Sequence, residues 1–183
     1  ASDVYKRQDI YTGGHTKRVS QYSLAIAKYM KLSSEQVERL KMAAILHDVG
    51  KIGIEEAILN KPGRLTDEEF KAIKKHPMFG YEILSHIKTM EDIIPGVRYH
   101  HERPDGKGYP ENLKDPNIPL FARIIGVADT FDAMTSTRPY RKAFIDKEAI
   151  KELKELAGIQ FDQEVVRAFI KAYKHGEIKG KGN

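Results

Sequence analysis

AAILHDVGKIG, residues 43–53, ends an apolar helical run with a histidine and an aspartate, followed closely by a glycine and a lysine. Leu40, Ala44 and His47 follow one another at steps of four and three residues, which is the spacing of one helix face. This pattern places His47 on the core side of the helix, with Asp48 directly after it. Burying such a pair without a partner costs free energy, and a divalent cation removes that cost.

Other predicted helices also begin or end their apolar faces with metal-ligating residue types. His15 begins a stripe that Val19 continues, whereas Asp129 and Asp132 end the stripe of residues 120–136. A predicted helix corner and a loop add three more histidines: His76, His100 and His101. A lone histidine on such a face is usually a hydrogen-bonded core residue. The inference of a metal site therefore depends on several candidate ligands occurring together. Without any cysteine, these ligands favour iron, manganese, zinc or nickel, and their number suffices for two ions.

The helix caps and turn-forming residues along the chain predict an all-α fold. Capping boxes are predicted at Ser33 and Thr66, each followed three residues later by glutamine or glutamate. Asp146 and Asp162 are predicted to cap the last two helices. Residues 98–119 are rich in proline, glycine, aspartate and asparagine, and they predict a long loop. No strand-like alternation is long enough to compete with this pattern.

Composition limits the class of protein. With 183 residues, 40% hydrophobic and 31% charged, the chain suits one globular domain. No apolar run approaches the roughly 20 residues of a membrane-spanning helix, so no membrane partner is expected. The absence of cysteine and of a secretory leader predicts a cytoplasmic protein. The net charge of +5 suits nucleic acid or an anionic substrate, but no interleaved aromatic and basic surface predicts a nucleic-acid polymer as partner.

Basic residues close to the candidate ligands point to a phosphate substrate. Lys51 follows Asp48 by three residues, and a cation beside bound metals neutralises charge on a phosphoryl group. Arg138 and Arg141 follow Asp132 closely, and arginine suits phosphate oxygens or a guanine edge. The alternatives are an ordinary helix C-terminal cation for Lys51 and a solvated basic surface for the two arginines.

Two motifs resemble those of the HD superfamily of metal-dependent phosphohydrolases: HDVGK at residues 47–51 and HHERPDGKGYP at residues 100–110, the signature of its HD-GYP branch. The resemblance covers nearly the whole chain. It implies a compact HD-domain helical bundle with a long GYP loop between helices. It also implies a phosphodiesterase that hydrolyses cyclic di-GMP to the linear dinucleotide pGpG and, in many members, on to GMP.

The resemblance further implies roles for individual residues. Its metal ligands fall on His15, His47, Asp48, His76, His100, His101 and Asp129. The implied cofactors are two divalent ions bridged by Asp48, iron or manganese before zinc or nickel. The implied catalytic residues are Asp48, Lys51 and Asp132, with the last two near the scissile phosphate. Substrate contacts are implied for Tyr109, Arg138 and Arg141.

One position departs from a pattern found in part of the family. Some members hold a third metal with a glutamate one turn before the first histidine, where this chain has Tyr11. A phenol binds such ions poorly at neutral pH, so we expect two metals. We also expect hydrolysis to stop largely at the linear product.

The motifs divide the chain into three parts. Residues 1–10 show no clear helical stripe and are expected to be disordered or left over from expression. Residues 11–173 form the expected HD-GYP catalytic domain. Residues 174–183 are rich in glycine and lysine and are expected to be a basic flexible tail.

Two alternative functions stay open. Another nucleotide phosphohydrolase of the HD superfamily would share HDVGK, but it has no need of the GYP loop or of the tandem His100 and His101. A non-catalytic receptor of cyclic di-GMP would be expected to have lost metal ligands or Lys51, and all of them are present. Also open are mixed cyclic GMP-AMP as the preferred substrate, a regulatory domain in a longer protein, and a homodimer.

Overall fold

The computed structural model describes residues 2–136 and 143–180, with side chains from residue 14 onward. Over these ranges the chain forms nine α-helices and no strand, which confirms the all-α prediction. Two short 3-10 turns, Val49–Gly53 and Lys88–Met90, lie between helices. The helices are α1 (Ser2–Tyr29), α2 (Ser34–Leu46), α3 (Glu56–Leu59), α4 (Asp67–Ile73), α5 (His76–Ser85), α6 (Ile94–Tyr99), α7 (Leu120–Thr135), α8 (Asp146–Glu155) and α9 (Gln163–Lys174).

Helix α7 lies at the centre of the bundle, because its sequence is apolar on most sides. Ile124, Ile125, Val127 and Phe131 are fully buried, and the Phe131 ring lies edge-on to the Phe169 ring of α9 at a centroid distance of 4.8 Å. Helices α1, α6, α8 and α9 pack around α7. Close packing on several sides holds a helix rigidly, so the acidic residues near the end of α7 keep fixed positions.

Three predicted helix caps are confirmed and one is wrong. Ser33 and Thr66 each accept a hydrogen bond from the backbone three residues on, and both capping boxes are complete. Asp162 caps α9 by accepting two backbone N–H groups. Asp146 is instead the first residue of α8, with Ile145 at the cap position. The Asp146 carboxylate is buried and binds the C-terminal segment of the chain.

The N-terminal segment belongs to the first helix. Helix α1 begins at Ser2, so the backbone of residues 2–10 is helical, and an origin from expression stays a prediction. This helix runs without interruption into the segment that carries His15. None of the helices in the described ranges is long and apolar enough to cross a membrane.

The predicted flexible tail, residues 174–183, packs on the bundle as far as the structure describes it. Ile178 is fully buried in the core. The carbonyl of the next residue accepts a hydrogen bond from the Tyr22 hydroxyl at 2.7 Å, and the Gly180 N–H donates to Asp146 at 2.9 Å. A single apolar side chain thus fixes a segment whose composition predicts flexibility, because its burial is reinforced by hydrogen bonds at the two residues that follow it.

We expect Ile178→Ala to lower the free energy of unfolding by about 3 kcal/mol, because the deleted methyl and methylene groups leave a cavity in the core. Urea unfolding followed by circular dichroism measures this change. Lys174→Ala, at an exposed position of the same segment, is the control and should stay within about 0.5 kcal/mol of the parent protein. Equal stabilities of the two variants would show that the segment is not docked in solution.

The loop between α6 and α7 is irregular, as predicted, and one carboxylate holds it. Glu102 is buried and accepts backbone hydrogen bonds from Glu111 at 2.6 Å and Leu113 at 2.9 Å. At the start of α7, Arg123 donates to the Ile118 carbonyl at 2.6 Å. Glu102 therefore keeps residues 103–110 beside the histidines that precede them, whereas Arg123 fixes only the end of the loop at the start of α7.

Candidate metal centre

The HDVGK motif forms a tight junction between α2 and α5. His47 follows the last residue of α2, and the turn Val49–Gly53 redirects the chain. Gly50 packs against the backbone of α5, where an added Cβ would lie 1.9 Å from the His76 carbonyl oxygen. A residue without a side chain is therefore required at position 50. This contact brings His47 and Asp48 next to His76.

Three of the predicted ligands are oriented by backbone carbonyls close to them in sequence. Each histidine ring donates its Nδ1–H to the carbonyl three residues earlier, which fixes the tautomer and leaves Nε2 for a metal. These bonds join His47 to Ala44 (2.8 Å), His76 to Ile73 (2.7 Å) and His100 to Val97 (2.7 Å). The ends of α2 and α6 and the junction between α4 and α5 thus preorganise three imidazoles.

The ligand atoms form two adjacent groups. We call them the His15 group (His15, His47 and Asp48) and the His76 group (His76, His100 and His101). Within each group the candidate ligand atoms lie within 4.8 Å of one another. Asp48 contacts both groups, because its Oδ1 lies 3.3 Å from His76 Nε2 and its Oδ2 lies 3.4 Å from His47 Nε2.

Asp129 joins the same cluster from α7. Its Oδ1 lies 3.3 Å from His15 Nε2, and His15 Nε2 also lies 3.6 Å from Asp48 Oδ2. The structure therefore brings together all seven residues that the sequence predicts as ligands. His47 Nε2 is buried without a hydrogen-bond partner among the described residues, which is costly unless the nitrogen binds a cation. The donor set of imidazole and carboxylate fits divalent transition metals.

The pKa shifts in the His76 group favour metal binding. Burial lowers the pKa of His76, and it lowers the pKa of His100 and His101 well below the usual range. Neighbouring histidines add to the shift, since a second positive charge nearby is unfavourable. These rings are therefore neutral at physiological pH, as ligands must be.

In the His15 group, by contrast, the pKa shifts favour the charged form of each residue: the pKa of Asp48 is lowered and the pKa of His15 is raised. Burial alone would raise the pKa of Asp48, but contacts with His47 and His15 outweigh it and hold the pKa well below its usual range. Burial opposes protonation of His15, yet hydrogen bonds to Asp132 and Asp48 raise its pKa to about 9. Carboxylates thus dominate this group and attract positive charge, which a bound metal supplies in place of the proton.

The structure changes the interpretation of Asp132. Its side chain is buried, and its Oδ2 accepts a hydrogen bond from His15 Nδ1 at 2.8 Å, on the opposite side of the ring from Asp48 and Asp129. Arg18 holds the same carboxylate through Nε and through Nη2, the latter at 3.0 Å. These contacts orient the candidate ligand His15, and a place of Asp132 near the scissile phosphate stays a prediction.

Two further predicted residues lie at the edge of the cluster. Lys51 Nζ lies 2.5 Å from Asp48 Oδ2, and its side chain is 36% exposed. The Tyr109 ring stacks on the His101 ring at a centroid distance of 4.7 Å, and Lys74 Nζ lies 5.3 Å from the Tyr109 centroid. Burial raises the pKa of Tyr109, so its hydroxyl stays neutral.

Some residues that the sequence predicts for the site lie outside the described part of the chain. Two residues that support the site were not predicted. Arg138 and Arg141 lie outside the described residues, and the Tyr11 side chain does too. Sequence reasoning missed Arg18 and Glu102. Arg18 follows His15 by three residues and therefore shares its helix face, a spacing that could have revealed it.

The chain is a helical bundle whose helices bring together two adjacent groups of histidine and carboxylate side chains. This fold and this donor set define the class of helical metal-binding proteins. The family model described as HD domain matches residues 6–165. The chain therefore belongs to the HD domain family, and its GYP signature places it in the HD-GYP branch, as the motifs predict.

Known proteins resemble the chain over most of its length. A cyclic di-GMP phosphodiesterase of Thermotoga maritima is 44% identical over 91% of this chain and 46% of its own length. The 3'3'-cGAMP-specific phosphodiesterase 3 of Vibrio cholerae is 38% identical over 88% of this chain and 35% of its own length. The solved structure of Bd1817, an HDG"Y"P protein from Bdellovibrio bacteriovorus, matches the fold with a TM-score of 0.70 at 21% identity, covering 87% of this chain and 51% of that one. The chain spans less than half the length of these two curated relatives.

Proposed function

We propose that this chain is a phosphodiesterase that hydrolyses cyclic di-GMP with the help of two divalent ions. The observation that carries the proposal is the position of Asp48, whose two oxygens contact the His15 group and the His76 group. Two ions that share a carboxylate and a water are suited to the in-line hydrolysis of a phosphodiester. The Thermotoga relative supports cyclic di-GMP as the substrate.

The proposed ligands are the seven residues of the cluster: His15, His47, Asp48, His76, His100, His101 and Asp129. Two bound ions would supply a hydroxide at neutral pH and positive charge for the phosphoryl oxygens. Iron or manganese suits this donor set best, with zinc or nickel as alternatives. We expect two ions rather than three because Tyr11 stands where a third ion would need a carboxylate.

Lys51 is proposed to bind the scissile phosphate. Its Nζ is adjacent to Asp48, and its side chain is exposed enough to contact a ligand at the same time. A positive charge at this place stabilises the negative charge that develops on the phosphoryl oxygens. Asp132, buried behind His15, takes no direct part in this proposal.

A cavity of about 310 Å³ beside His101 is the proposed place of one half of the dinucleotide. Phe70, Lys74, Lys107 and Tyr109 contribute to its lining. Aromatic rings and cations in one cavity suit a guanine base linked to phosphate. Contacts from Arg138 and Arg141 stay predictions, as do the cytoplasmic location and control by a regulatory domain or a homodimer.

The proposal is tested with a panel of substrates. The protein is purified without oxygen, loaded separately with Fe²⁺ and Mn²⁺, and followed by chromatography on cyclic di-GMP, 3'3'-cGAMP and a nucleoside 5'-monophosphate. We expect cyclic di-GMP to be consumed fastest and pGpG to accumulate ahead of GMP.

Each other result has a defined meaning. Faster turnover of 3'3'-cGAMP would favour the specificity named for the Vibrio relative. Hydrolysis of the monophosphate alone would indicate another HD-superfamily phosphohydrolase. Binding of cyclic di-GMP without turnover, by protein that contains two metals, would indicate a receptor. Rapid formation of GMP would contradict the expectation drawn from Tyr11.

A further inference from the structure

Four of the candidate ligand histidines have a described contact at Nδ1, and His15 differs from the other three. His47, His76 and His100 each donate to the backbone carbonyl three residues earlier in the chain. His15 donates to the side chain of Asp132, which lies 117 positions further along the chain. The orientation of this one ligand therefore depends on a side chain from another helix.

Asp132 is itself held by Arg18. The guanidinium contacts both carboxylate oxygens, through Nε to Oδ1 and through Nη2 to Oδ2, and Nη2 also lies 3.4 Å from the Ser136 hydroxyl. Arg18 follows His15 by three residues on α1, so two successive turns of α1 bind one carboxylate of α7. A buried carboxylate without a cationic partner is strongly destabilised, which makes the guanidinium necessary for Asp132 to stay in place.

We propose that Arg18 and Asp132 are positioning residues that fix His15 Nε2 for metal binding. The inference rests on the proposed metal site, and it concerns the affinity of the ion that the His15 group holds. Asp132 keeps the proton on Nδ1, so that Nε2 presents its lone pair toward Asp48 and Asp129. Arg18 acts indirectly, because it holds the Asp132 carboxylate in place.

The test measures Mn²⁺ binding to metal-free protein by isothermal titration calorimetry. We expect Asp132→Ala and Arg18→Met to weaken the binding of one of two Mn²⁺ ions by about 10- to 100-fold, while the second ion binds nearly as before. Asp132→Asn keeps a hydrogen-bond acceptor, and Arg18→Lys keeps the charge without the planar fork. Both conservative variants should therefore show smaller losses.

The matched control is Arg123→Met. Arg123 also joins α7 to a carboxylate, with Nη1 2.7 Å from Asp162, and its side chain is similarly shielded, 19% exposed against 24% for Arg18. None of the hydrogen bonds and ion pairs that Arg123 makes among the described residues involves a candidate ligand. The control variant should lose stability but keep its Mn²⁺ affinities within about twofold of the parent protein. Circular dichroism of the metal-free proteins verifies that each variant is folded.

The outcomes separate this inference from the proposed activity. If Arg18→Met and Asp132→Ala, both folded, bind two Mn²⁺ ions as tightly as the Arg123→Met control does, the positioning role is refuted. A selective loss of one ion supports it even if the parent protein hydrolyses no cyclic dinucleotide, a result that would refute the proposed function alone. Equal weakening of both ions would also refute it, since only one ion is held by the His15 group.

Discussion

Asp48→Asn is expected to abolish the hydrolysis of cyclic di-GMP, with kcat falling by about a thousandfold or more. Asparagine has nearly the same size, but its NH2 group replaces one of the two oxygens that contact the His15 and His76 groups. An amide nitrogen does not bind a metal and cannot bridge two of them. If the metal ions no longer stabilise the transition state by several kcal/mol, the rate falls by a factor of this size.

Turnover and metal content of the same preparation test this prediction together. Asp92→Asn is the control, because the Asp92 side chain is 61% exposed and pairs with Arg39 on the surface. That variant should match the parent protein in both measurements. A folded Asp48→Asn protein that holds two metals and keeps normal turnover would remove Asp48 from the proposed mechanism.

The preorganisation of the cluster explains why the sequence predicts so much of it. A histidine that ends an apolar helix face can donate to the carbonyl three residues earlier, as His47 does. The helical spacing that places its ring on the core side is the same signal that sequence reasoning detects. His15, Asp129 and His47 were found in this way because a period of 3.6 residues persists over the long helices α1, α2 and α7.

Periodicity could not predict which helix faces meet. The pairing of Arg18 with Asp132 spans 114 positions, and nothing local to either residue encodes it. The C-terminal segment escaped prediction for a different reason. Ile178 is one apolar residue among glycines and charged residues, so no periodic pattern exists there. Its burial depends on a space between other helices, which only the folded bundle creates.

Gly50→Ala is expected to lower the free energy of unfolding by about 3 kcal/mol and to weaken metal binding at both groups. The new Cβ would lie 1.9 Å from the His76 carbonyl oxygen and 2.4 Å from the Gly80 nitrogen. Both are backbone atoms of α5, so no side-chain rotation can relieve the overlap. The turn Val49–Gly53 must then separate from α5, which moves His47 away from His76.

Gly53→Ala provides a control within the same turn. There the added Cβ would meet the half-buried Phe79 ring at 2.7 Å, and a side chain of this kind can rotate away. Neither glycine has a left-handed φ, so the two variants differ in the contact and not in backbone strain. Urea unfolding and Mn²⁺ titration should show a cost below about 1 kcal/mol and retained metal affinity for Gly53→Ala. Equal behaviour of the two variants would mean that the close approach of Gly50 to α5 does not hold the two ligand groups together.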